Sequence, residues 1–233
     1  LEALNHLIAL EKNWIPEDEG SSMYIRPFVF STEPAIKASP SLEYRFCIIC
    51  APVASYFSDA IAVKIEEQFS RAAPGGFGYA KAAGNYGGQF YPTELAKAEG
   101  YQQVIWTDAL THKYIEEAGT MNIFVRFEDT LVTSPVSDTI LDGITRKSMI
   151  QLCQDLNIPI EERTIAVQEL LDGFENGKLL ELFGAGTAAV VSEIKSFGYR
   201  GVNYELDAVE DAYGARLKKA LTDIQRNRAE DIH

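Results

Sequence analysis

The chain has 233 residues, 46% hydrophobic and 11% aromatic, enough for one large domain or two modest ones with an ordinary globular interior. It carries 34 acidic against 21 basic residues, a net charge of −13 at pH 7. That balance, without a basic run, excludes a nucleic-acid face, which needs clustered cations against phosphate; no apolar run reaches the length that spans a bilayer.

Leu1 to Trp14 repeats apolar residues at helical spacing (Leu4, Leu7, Ile8, Leu10) and predicts a helix, broken by Pro-Glu-Asp-Glu-Gly. "MYIRPFVF" and "EYRFCIICA" predict strands, and "AIAVKI" a third. Cys47 and Cys50 have the spacing of a redox pair, but a strand points residues i and i+3 to opposite faces, so two reduced core thiols are expected. Residues 70–78 predict a loop turning at Ala73-Pro-Gly-Gly76. Pro92 to Gly100 predicts a helix with Thr93 as cap and Gly100 as stop. "QVIWT", "KYIEEA", "MNIFVRF" and "TLVTS" follow as strands with turns at 108–112 and 128–129, a meander that suggests an antiparallel sheet. "TRKSMIQLCQDLN" predicts a helix, "ERTIAV" a strand and "VQELLDGFENG" a helix. "LLELFGAGTAAVVSEI" predicts two strands around a tight Gly184-Ala-Gly186 turn, and Val209 to Arg228 a closing amphipathic helix. The class is α+β, with strands dominating the middle.

Four segments stand outside this core pattern: "AKAAGNYG", "EEAGTMN", "LDGITRK" and "LFGAGTAAVV". Each joins small residues, which let backbone amides approach a ligand, to one or two polar groups. Lys81 sits among alanines and glycines with little to pair with, the setting of an amine that can attack a carbonyl, or of a solvated surface lysine. The amides of Ile144 and Thr145 would open a helix and so offer an anion site, although Thr145 also reads as a cap. Glu116 and Glu117 alternate on a strand, so only one points inward. A carbonyl-reactive lysine, a phosphate site and an acid for a ring nitrogen are the parts a pyridoxal phosphate site requires.

In order and interval, "KAAGNYG", "EEAGTMNIFV", "LDGITR" and "ELFGAGTA", with the upstream "SSMYIRPFVF" and the terminal "LTDIQRNRAEDIH", resemble the branched-chain amino acid aminotransferases of fold type IV. The resemblance covers essentially the whole chain. It implies the remainder of a small α/β domain over residues 1–70, a connecting loop over 71–80, and a large strand-rich pseudo-barrel domain with peripheral helices over 81–233. It implies pyridoxal 5′-phosphate as cofactor and no metal. Lys81 would bond the cofactor aldehyde and later shuttle the proton between the substrate Cα and C4′. Tyr86 would bond the phenolic oxygen and Glu117 the ring nitrogen. Ile144 and Thr145 would hold the phosphate through backbone amides, and Thr187 through its hydroxyl. Thr187 and Ala188 would present amides to the substrate carboxylate, and Tyr24 and Arg26 would approach the substrate pocket. The implied reaction moves the amino group of leucine, isoleucine or valine to 2-oxoglutarate in a cytoplasmic homodimer whose partners are amino acids and 2-oxo acids, with no nucleic acid and no membrane. A D-amino acid aminotransferase, an aminodeoxychorismate lyase, or a non-catalytic binding module are the alternatives. The sequence departs from the pattern in two ways. It starts well inside it, without the segment that supplies an arginine to the phosphate, and it ends before the last expected strand. Ala189 and Ser192 also stand where some mammalian members carry a redox cysteine pair.

Overall fold

The structure, a computed structural model, describes residues 1–18, 20–54 and 59–233. The chain divides into two units, Leu1–Ser58 and Asp59–His233. In the first, helix α1 (Glu2–Glu11) and a 3-10 turn (Lys12–Trp14) precede a hairpin of β1 (Ser22–Ser31) and β2 (Tyr44–Val53). The two strands pair antiparallel without a slip from Ser22↔Val53 to Ser31↔Tyr44. Leu7, Ile8 and Ile15 share an apolar hollow of about 80 Å³ with Met23, Ile25 and Cys50. Cys47 and Cys50 are free and only half-buried rather than core residues. A two-stranded ribbon has too little layer around it to enclose both faces.

The second unit is a closed barrel. Its strands are β3 (Ile61–Ile65), β4 (Gln103–Thr107), β5 (Tyr114–Ala118), β6 (Asn122–Phe127), β7 (Thr130–Thr133), β8 (Ile160–Glu162), β9 (Ile165–Ala166), β10 (Leu179–Gly186), β11 (Val190–Tyr199) and β12 (Val202–Glu205). Pairing runs β6-β10-β11-β3-β4-β5, and β5 returns to β6 through Glu117↔Asn122, which closes the ring. The expected strand-rich barrel is therefore present. The expected antiparallel meander is present as well, β4 to β5 to β6 to β7, whereas β3, outside that meander, pairs parallel to both β4 and β11. A parallel neighbour needs a long crossover, and helix α2 (Ala83–Ala98) supplies it between β3 and β4. Residues 59–70, grouped by sequence with the first domain, thus carry a strand of the barrel.

Helix α2 begins at Ala83, well before the predicted start at Pro92. Its buried positions Asn85, Gln89, Pro92 and Ala96 fall at i, i+4, i+7 and i+11, one helical face. Packing of that face outweighs the poor helix propensity of Gly84, Gly87, Gly88 and Pro92. The predicted strand "ERTIAV" is split, because β8 pairs with β7 and β9 with β5. The β10–β11 turn is Thr187-Ala188-Ala189, and Gly184-Ala-Gly186 lies inside β10. Strand β12, unforeseen from sequence, extends the sheet beside β11.

Helices α3 (Ile144–Asp155), α4 (Val167–Glu175) and α5 (Tyr213–Gln225) each contact β10. Met149, Leu152 and Cys153 of α3 and Leu217 and Leu221 of α5 join Phe124 and Phe183 of the sheet in one core cluster. Each fully buried side chain of this size contributes about 1.5–3 kcal/mol. The two phenylalanines stack with centroids 5.2 Å apart. Glu181 fixes the start of α5: it accepts the Tyr213 and Gly214 amides at 2.7 and 3.0 Å and pairs with Arg126 at 2.7 Å. The Arg126 guanidinium in turn stacks 3.6 Å from the Tyr213 ring centroid.

Candidate active site

The ring closes at a tight turn, where Ala118 N–H donates to Met121 O at 2.9 Å. That turn sets Glu117 and Asn122 side by side. Beside them opens a cleft of about 210 Å³, lined in part by Arg71, Lys81, Tyr86, Glu117, Thr145 and Thr187. Gly143 and Ile144 also line it.

Glu117 is 5% exposed. Its Oε1 pairs with Arg71 at 2.8 Å, and its Oε2 accepts the Leu141 amide at 2.9 Å and a long contact from Asn122 at 3.5 Å. Burial pushes the Glu117 carboxyl up to about 7, against the pull of Arg71, the Leu141 amide and Lys81. Glu116 takes the opposite side of the strand and accepts the Thr139 hydroxyl at 2.6 Å. Burial raises its carboxyl as well, opposed by that hydroxyl. The alternation expected of the acid pair is thus realised, with Glu117 facing the cleft.

Lys81 lies just before α2, and its Nζ donates to Tyr86 Oη at 3.2 Å. Tyr86 is on the first turn and a half of the helix, so the pair is held by one local element. Across the cleft, α3 starts at a cap residue, Gly143, that has no side chain to bond the first amides. Those amides and the helix dipole favour an anion there. Thr145 is the second residue of α3 and is buried, so it is not the cap. A Cβ on Gly143 would run into Asn122 Oδ1, so glycine lets the helix start close to the acid. Thr187 opens the β10–β11 turn at the cleft edge, and Ala188 follows it, exposed.

Lys81, Tyr86, Glu117, Ile144, Thr145 and Thr187 therefore meet in one cleft. Tyr24 and Arg26 lie in the first unit on one face of β1, where Arg26 Nη2 donates to Tyr24 Oη at 2.7 Å. Sequence reasoning missed Arg71, which besides Glu117 bonds the Gly78 and Thr139 carbonyls at 3.0 and 2.5 Å. It is the one cation between Lys64 and Lys81 in a loop of small residues, a signal the sequence did contain. Asn122 carried no such signal, since its place beside Glu117 depends on barrel closure.

These parts fit a molecule with an aldehyde, a basic ring nitrogen and a phosphate: an amine with one hydroxyl partner, a buried acid, and an uncapped helix start. The family described as amino-transferase class IV matches residues 2–197. The chain is 40% identical over 230 residues to branched-chain-amino-acid transaminase 1 of Bacillus subtilis, covering 97% of this chain and 65% of that one. It thus spans about 65% of the length of that curated relative. Among solved structures it resembles the branched-chain aminotransferase of Thermoproteus uzoniensis, with TM-score 0.80 and 24% identity over 98% of this chain and 72% of that one. The Escherichia coli branched-chain amino acid aminotransferase gives TM-score 0.74 and 27% identity over 91% and 67%.

Proposed function

Since the chain belongs to the class IV amino-transferase family, we propose that its cleft transfers the amino group of leucine, isoleucine or valine to 2-oxoglutarate, giving glutamate and a branched-chain 2-oxo acid. The cofactor of this family is pyridoxal 5′-phosphate. The observation that carries the proposal is the meeting in one cleft of Lys81, Glu117 and the bare start of α3. The kinship at 40% identity supports the branched-chain substrate class.

Bound pyridoxal phosphate supplies an aldehyde and a ring that accepts electrons. Lys81 Nζ is the one amine among the described residues lining the cleft; it takes and returns the proton at the substrate Cα. Tyr86 Oη, 3.2 Å from that nitrogen, orients it and offers a hydrogen bond to a phenolic oxygen. Glu117 holds the proton at the ring nitrogen, and its raised affinity for protons suits a group that shares one near neutral pH. Arg71 fixes the carboxylate from the other side. The amides of Ile144 and Thr145 and the Thr187 hydroxyl bind phosphate, and the Thr187–Ala188 turn meets the substrate carboxylate. Tyr24 and Arg26, already bonded to each other, serve the substrate pocket of a homodimer. The free cysteines suit a reducing, cytoplasmic setting.

The test is direct. Borohydride is expected to fix pyridoxal phosphate to the Lys81 peptide, read by mass, and Lys81→Ala to abolish both that adduct and leucine-dependent glutamate formation. Fixation at another residue, or normal turnover by Lys81→Ala, would overturn the assignment.

A further inference from the structure

Lys81 is flanked by Ala80, Ala82 and Ala83, none of which can anchor it by packing. Its segment is nonetheless held at several points. Asn85, 7% exposed on the first turn of α2, donates from Nδ2 to two carbonyls, Ala80 O at 2.8 Å and Phe77 O at 3.0 Å. Ala80 is the residue directly before Lys81. Phe77 O also accepts the Ala80 amide at 3.0 Å, and the Asn85 amide returns to Ala82 O at 3.1 Å. The side chain of Asn85 thus bridges the turn leading to Lys81, while its backbone bonds the residue after it. Two carbonyl acceptors use both amide hydrogens, which fixes the amide orientation by chemistry. Asn85 is itself seated: buried Gln89 donates to its carbonyl at 2.8 Å.

We propose that Asn85 is the positioning residue for the Lys81 amine, holding the Ala80–Lys81 backbone so that Nζ stays beside Tyr86 and in the cleft. Asn85 is not one of the residues lining the cleft. It acts through the chain segment it clamps. The role in reactivity rests on reading Lys81 as the reactive amine; the clamp does not.

Asn85→Asp keeps the shape and removes both donors. A carboxylate there faces two carbonyl oxygens, whereas a protonated carboxyl can restore one hydrogen bond. Two readouts separate the clamp from the chemistry. Hydrogen–deuterium exchange on the chain without added ligand follows the amides of residues 77–82. Borohydride fixation followed by mass gives the rate at which pyridoxal phosphate attaches to Lys81. In Asn85→Asp the 77–82 amides are expected to exchange faster and fixation to slow by about 10- to 100-fold, the scale of a group displaced by about 1 Å. Measured against the wild type at the same pH, both differences are expected to shrink as pH falls and the aspartate protonates. Asn85→Ser serves if the aspartate variant does not fold; it is expected to show the same losses without the acid rescue. Unchanged exchange and fixation within about twofold of wild type in the folded variant would overturn the positioning role. If wild-type Lys81 is not fixed at all, the reactivity role falls with the Lys81 assignment, while faster exchange in the variant would still identify Asn85 as the clamp.

Discussion

Glu117→Gln probes the electrostatics of the cleft floor. The substitution keeps the side chain's size and removes the anion facing Arg71; the two side chains are 7% and 5% exposed. Removing one partner of a fully ionised buried pair costs about 3–5 kcal/mol. The wild-type carboxylate, however, carries its own penalty, because burial raises it from 4.5 to about 7. At about 1.4 kcal/mol per pKa unit, that rise disfavours the charged form by about 3 kcal/mol. Proton counting gives the sign. The folded pKa lies above the unfolded one, so between pH 4.5 and about 7 the folded chain holds a proton that the unfolded chain has released. Stability from this group is fully present below the unfolded pKa and is lost as pH rises through the folded one. Glutamine has no proton to release and lacks that slope. At acid pH the variant should be less stable by about 1–3 kcal/mol, because an amide cannot accept from both Arg71 and Leu141 as the carboxyl does. Its deficit should then shrink by about 3 kcal/mol across the window and vanish or reverse by about pH 8. Urea unfolding of both proteins at several pH values between 4.5 and 8 measures this difference. A deficit that stays constant or grows with pH would mean that Arg71 outweighs burial and keeps Glu117 ionised throughout.

Three further outcomes follow from the geometry. Gly143→Ala places a methyl against Asn122 Oδ1 and should cost about 1–3 kcal/mol, the scale of local overpacking; thermal melting should show the loss and a phosphate titration a weaker anion site. Glu181→Ala strips Arg126 of its carboxylate partner and two α5 amides of their acceptor, and chemical denaturation should register a loss of about 3–5 kcal/mol. Cys153 is fully buried, and burial pushes its thiol up to about 12, whereas Cys47 and Cys50 are half-buried. A thiol reagent should therefore label the strand pair in the native protein and Cys153 only after unfolding; prompt labelling of Cys153 would contradict the packing of α3.

The sequence by itself narrowed the candidates for the chemistry to a few short segments. Lys81 stands out because its neighbours are too small to hide it; period-two alternation lets only one of Glu116 and Glu117 face inward, and the family resemblance chose Glu117. Hydrophobic periodicity located α3, α4, α5 and most barrel strands, since each buries one face and local spacing reports that face. Tertiary structure decided what local pattern cannot encode. The start of α2 at Ala83 rather than Pro92 depends on a face of Asn85, Gln89, Pro92 and Ala96 that reads as polar or weak until it is packed. The parallel pairing of β3 joins segments that are distant in the chain. Arg71, Leu141 and Asn122 meet at Glu117 only because the barrel closes there, bringing residues 71, 117, 122 and 141 to one point. Sequence spacing carries local geometry, but the low dielectric that raises Glu117 and the partners that orient it come from chain segments brought together by folding.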